Sequence, residues 1–116
     1  MKRDMELVRN ILLKLEEKDD FRGSFQYPEA WDDIKVAYHL KIMEQAGLVE
    51  QKVNYADDIP IRMFATITWE GQEFLDSIKN KTVWTKLKNK LKEEGGSLPF
   101  HILKSLAVKY SEQHFL

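Results

Sequence analysis

The sequence predicts an α+β fold that is mainly helical, and three observations predict it. Apolar residues recur at helical spacing in five stretches, a strand-turn-strand run follows Gly47, and Gly95-Gly96-Ser97 separates the last two helices.

The first helix is expected to begin at Asp4, whose side-chain oxygen can cap it, and to run to about Lys18 with Met5, Val8, Ile11, Leu12 and Leu15 buried. Asp19-Asp20 end it, and Phe21 to Tyr27 (FRGSFQY) reads as a loop or short edge strand. Pro28 suits the first turn of a second helix, because its missing N–H would be unpaired there anyway, and the pattern continues to Ala46. Gly47 then closes the helix as a left-handed cap. Leu48 to Tyr55 and Ile61 to Thr68 are rich in branched and aromatic residues and flank the turn ADDIP, so they form a β-hairpin. Thr68 is positioned to cap a third helix over Trp69 to Ile78, with Trp69, Phe74, Leu75 and Ile78 as its apolar contacts. Thr82 is the expected cap of a fourth, to Glu93, with Val83, Trp84, Leu87 and Leu91 inward. Ser97 is the expected cap of a fifth, with Leu103, Leu106, Ala107 and Tyr110 inward.

Helix, helix, glycine, strand, turn, strand, helix is the order of a winged helix. Residues 1–78 are therefore expected to form a winged-helix domain with the two-stranded hairpin as its wing. Residues 79–116 form a helical hairpin packed on that domain or used for self-association. Charge divides the same way: residues 1–78 carry 10 basic and 16 acidic side chains, residues 79–116 carry 8 lysines and 3 glutamates. A basic tail on an acidic body suits either nucleic acid or mutual attraction of the two parts or of a partner.

In the second helix, Val36, Leu40, Met43 and Gly47 share the core face, which puts Lys35, Tyr38, Ile42 and Gln45 on the opposite one, flanked by His39 and Lys41. Lys35, Tyr38, His39, Lys41 and Gln45, with Lys52 and Arg62 beside the wing turn, are the candidate DNA-contacting residues. Glutamine pairs bidentately with adenine, lysine reaches guanine or phosphate, and tyrosine donates to phosphate. An exposed Tyr38 and Ile42 suit a protein partner equally well. Two features weigh against DNA: FRGSFQYPEAWDD leaves little room for a positioning helix, and the turn ADDIP is acidic.

Four blocks, MKRDMELVRNILLKLEE, AYHLKIMEQAGLVE, ITWEGQEFLDSIKN and VWTKLKNKLKEEGGSLPFHILKSLAVK, resemble the bacterial and phage domain-of-unknown-function family numbered twenty-five thirteen over nearly the whole chain. The resemblance implies a winged-helix-like fold and an association with prophages or mobile elements, and it implies no activity.

Other function classes find little support. Without cysteine there is no disulfide, thiolate nucleophile or cysteine-based zinc site, as suits a reducing cytoplasm. Asp19-Asp20, Asp32-Asp33 and Asp57-Asp58 read as turns and helix caps, and His39, His101 and His114 share no ligand spacing, so no metal or cofactor is expected. Trp69 and Trp84 are expected in the core rather than as a base-stacking set, Trp31 less so. No phosphate loop, nucleophile elbow or metalloprotease helix is present, so the chain is not expected to be an enzyme. No secretory signal or apolar run of ~18 residues directs it to a membrane. The expected function is a phage-type DNA-binding regulator on double-stranded DNA, dimeric through the C-terminal helices; the alternative is a winged-helix-shaped adaptor that binds another protein.

Overall fold

The computed structural model describes the backbone of all 116 residues and the side chains of all but residues 60–63. Five helices and one hairpin follow in the order α1 (Met5–Glu16), α2 (Asp33–Gln45), β1 (Val49–Ala56), β2 (Ile59–Ile67), α3 (Trp69–Ile78), α4 (Lys81–Glu93) and α5 (Phe100–Phe115). The chain is therefore α+β and mainly helical, with one two-stranded antiparallel sheet. It forms two compact units, Met1–Gln72 and Glu73–Leu116, whose boundary falls inside α3, whereas the change of charge falls after residue 78.

In the first unit, Asp4 caps α1 by accepting hydrogen bonds from the amides of Glu6 and Leu7 (3.0 and 3.3 Å). Val8, Ile11, Leu12 and Leu15 are buried, the i, i+3, i+4, i+7 stripe of an amphipathic helix. Residues 17–32 contain neither helix nor strand, which corrects the expected start of α2 at Pro28. Pro28 instead opens a turn, accepting from the Trp31 amide at 3.0 Å, and Tyr27 stacks on Trp31 at 5.9 Å and tilts against Phe25 at 5.3 Å. The helix starts only where Asp32 can cap it, accepting from Ile34 and Lys35 (2.9 and 3.4 Å).

Its end follows the expected design. Gly47 has φ +81°, its amide donates to Glu44 O (3.0 Å), and the Leu48 amide donates to Met43 O (2.9 Å). This pair of bonds is a Schellman motif, closed by the buried Met43 and Leu48. Val49 pairs with Ile67 and Ala56 with Ile59, so the turn is only Asp57-Asp58 and the strands reach further into ADDIP than expected. Both aspartates have positive φ (51° and 66°), the conformation of a type I′ hairpin turn. A register shift between Lys52 and Val53 gives β2 one extra residue.

Thr68 caps α3 as expected: its hydroxyl donates to Gly47 O (2.6 Å) and accepts from the Gly71 amide (2.9 Å). The threonine thus ties the start of α3 to the end of α2. Trp69, expected in the core, is 80% exposed. It lies on the side of α3 opposite Phe74, Leu75 and Ile78, which are buried.

In the second unit α4 and α5 form a helical hairpin, with Val83, Trp84, Leu87, Leu91, Leu103 and Ala107 buried. Removing each of the larger side chains from water stabilises by roughly 1.5–3 kcal/mol before entropy is counted. Phe74 meets Phe100 edge to face at 5.1 Å. Two expected caps are displaced. Asn80, not Thr82, caps α4, accepting from the Thr82 and Val83 amides, because α4 begins at Lys81. Pro99, not Ser97, precedes α5, with no side-chain cap; the two glycines after Glu94 end α4, where the Gly96 amide donates to Leu91 O (2.7 Å) and the Gly95 amide to Lys92 O (3.2 Å).

Candidate nucleic-acid interface

The core face of α2 is set by Val36, Leu40 and Met43, all buried, so the opposite face is available to a ligand. Lys35, Lys41 and Gln45 are exposed there, and Tyr38 and Ile42 are half-buried. The expected face is thus brought together on one helix. Lys52, on β1, is exposed as well, whereas the Arg62 side chain lies outside the described residues.

His39 does not belong to this face. It is 1% exposed, and both ring nitrogens are occupied: the Asp4 amide donates to Nε2 (2.9 Å), so Nδ1 carries the hydrogen and donates to Lys35 O (2.7 Å). Helical projection explains the correction, because His39 lies nearer the Val36–Met43 side than the Tyr38–Gln45 side. The Tyr38 ring covers its edge at 5.5 Å. The histidine therefore ties the Asp4 amide to the Lys35 carbonyl in the first turn of α2 and cannot touch a base.

The carboxylates of α2 are engaged by neutral donors. Asp32 caps the helix, Asp33 accepts from Tyr27 Oη (2.6 Å), and Glu44 accepts from the Gln51 amide (2.7 Å). No carboxylate pairs with Lys35, Lys41 or Lys52 among the described residues. The sequence did not reveal this asymmetry, because the partners of Asp33 and Glu44 come from a loop and from β1.

Apolar side chains were also missed. Ile34 beside Lys35 is 69% exposed, and Tyr55 and Ile59, which flank the Asp57-Asp58 turn, are 72% and 63% exposed. Alternation along a strand does not tell which face of a two-stranded hairpin is covered.

On α4 the buried stripe divides the lysines into two rows, Lys81, Lys88 and Lys92 on one flank and Lys86 and Lys90 on the other. Lys90 pairs with Glu94 (3.2 Å) and Glu93 (3.7 Å), and the hydrogen bond to Glu94 raises its pKa. Lys86 lies 5.1 Å over the Tyr110 ring.

No cluster of three or more His, Asp or Glu side chains is arranged to hold a metal ion among the described residues. Among the described residues no helix is long and apolar enough to cross a membrane.

An uncharacterized protein of Haemophilus influenzae is 39% identical over 111 residues, covering 92% of each chain. No solved structure matches. The family model described as "Hypothetical protein (DUF2513)" matches residues 2–97, and the chain belongs to that family.

Proposed function

We propose that the protein binds double-stranded DNA, with α2 lying in the major groove and Lys35, Tyr38, Lys41 and Gln45 facing it, as a regulator of the kind found in phages and prophages. The observation that carries this reading is the charge state of α2's solvent face: its lysines are exposed and unpaired among the described residues, while its carboxylates are held by amides and a phenol. Unpaired lysines can exchange condensed counterions for phosphates without first breaking an ion pair. Gln45 is placed to read adenine and Lys35 guanine. Lys52 on β1 supplies a sequence-independent contact. A palindromic operator would need two copies, and the α4–α5 hairpin is the expected dimerisation surface.

Fluorescence anisotropy with duplex pools tests the reading. Binding is expected at low salt and to weaken steeply as salt rises, and Lys35→Ala with Gln45→Ala is expected to change which sequences are selected. Absence of binding to any duplex at ~50 mM salt would overturn it.

A second reading, an adaptor that binds another protein, is favoured by the exposed Tyr55 and Ile59 beside the acidic turn and by the lack of any helix between α1 and α2. Under it, Tyr55→Ser with Ile59→Ser abolishes partner capture and leaves duplex binding absent throughout.

A further inference from the structure

We infer that residues 1–3 form a basic arm that His39 fixes beside α2, and that Lys2 and Arg3 extend the phosphate-contacting surface of the helix to the same duplex. The inference rests on the DNA-binding reading given above.

Three observations carry it. The Asp4 amide and the Lys35 carbonyl are joined through a single imidazole, so the backbone of the arm and the backbone of the first turn of α2 are two hydrogen bonds and one ring apart. That ring is 1% exposed, so the link is shielded from competing water. Asp4 is committed to α1, with its side chain on the Glu6 and Leu7 amides and its carbonyl accepting from Val8 (3.0 Å). Residue 4 is thus held from both sides, and the exposed Lys2 and Arg3 lead directly into a backbone amide that His39 joins to the backbone of the exposed Lys35.

Duplex DNA fits this arrangement better than a protein ligand does. Exposed cationic side chains on a tethered backbone suit a polymer carrying one negative charge per ~1.7 Å of axis, and N-terminal arms beside a reading helix are a recurrent way of adding contacts to the duplex. His39 is a positioning residue here. Its own nitrogens are used within the protein.

The test uses the full chain and a random-sequence duplex, with anisotropy titrations at several salt concentrations. Lys2→Ala with Arg3→Ala is expected to lower the slope of log affinity against log salt by about 2, so that the loss between 50 and 200 mM salt is roughly tenfold smaller than in the unaltered protein. Sequence preference should be unchanged. His39→Leu, which removes both ring hydrogen bonds and is checked by circular dichroism and melting to be folded, is expected to reproduce part of that reduced slope, an effect that loss of stability alone would not produce. Duplex binding with an unaltered slope in the arm variant overturns this inference and leaves the reading of α2 intact. Failure of the unaltered protein to bind duplex at low salt overturns both.

Discussion

The Asp4 amide donates to His39 Nε2 over 2.9 Å, across 35 residues of sequence, and this bond joins the start of α1 to the middle of α2. His39→Ala removes both ring hydrogen bonds and leaves a void beside Val36 and Met43. Unfolding by urea is expected to show a loss of about 2–4 kcal/mol with little change in m-value, the cost of a cavity plus an unpaired donor. His39→Gln, which can still accept from Asp4, should lose less.

Gly71 and Gly47 are required for different reasons. A Cβ on Gly71 would overlap the Leu48 carbonyl oxygen and come within 2.9 Å of its carbon and 3.0 Å of Ile67 Cγ1, so the start of α3 would have to move away from Leu48 and the end of β2. Gly71→Ala is expected to cost about 3 kcal/mol or more, or to prevent folding. At Gly47 the nearest atom to such a Cβ is Glu70 Oε2, at 3.6 Å, and the cost is only that of φ +81°. Gly47→Ala should therefore remain folded, with a loss of about 1–2 kcal/mol by thermal or urea denaturation.

Thr68 combines a helix cap with a bond to the end of α2. Thr68→Val keeps the shape and removes the hydroxyl, leaving Gly47 O and the Gly71 amide without it. A loss of about 1–2 kcal/mol is expected, and Thr68→Ser should recover most of it.

The Asp57-Asp58 turn holds both residues at positive φ, which asparagine and glycine adopt more easily. Replacing the pair by Asn-Gly is expected to raise stability by roughly 0.5–1 kcal/mol. The same change removes two negative charges from the wing. If α2 reads DNA, non-specific duplex affinity should rise with it; a more stable variant with unchanged affinity would place the wing away from the duplex.

Lys18 Nζ donates to Ala65 O (2.6 Å) and Phe21 O (3.3 Å), and burial lowers its pKa below 10.5 against an opposing pull from Asp20. The unfolded chain then keeps this proton to higher pH than the folded one. Within the window between the lowered folded value and 10.5, this group's contribution to stability rises with pH; below it, the charged ammonium carries the full burial penalty. Comparison of the unaltered protein with Lys18→Met by urea unfolding should show their difference moving in favour of the unaltered protein as pH rises through that window.

Much of this fold was legible because its signals are local. The caps made by Asp4, Gly47 and Thr68 act on amides and carbonyls within a few residues, the bond from Thr68 to Gly47 O apart, and the stripe Val8, Ile11, Leu12 and Leu15 needs only helical spacing to be seen. The starts of α2, α4 and α5 were displaced because Pro28, Thr82 and Ser97 do not lie where the packed helices begin: Asp32 and Asn80 cap α2 and α4, and Pro99 precedes α5 without a side-chain cap. Trp69 was misread because a large aromatic is usually buried, and its position relative to Phe74, Leu75 and Ile78 outweighs that tendency. In the candidate interface, Lys35, Tyr38, Lys41 and Gln45 could be placed once the apolar face was known.

By itself, then, the sequence determined which stretches are helix and hairpin, where α2 stops, and which side of it meets solvent, since each depends on periodicity or on neighbouring backbone groups. Tertiary structure alone decided that His39 is a buried clamp rather than a contact residue, that Asp33 and Glu44 are engaged while Lys35 and Lys41 are not, and that the Asp4 amide is tied to α2. Those facts depend on how a loop, a strand and the start of α1 are set against α2, and helical or strand spacing does not encode which of their groups meet.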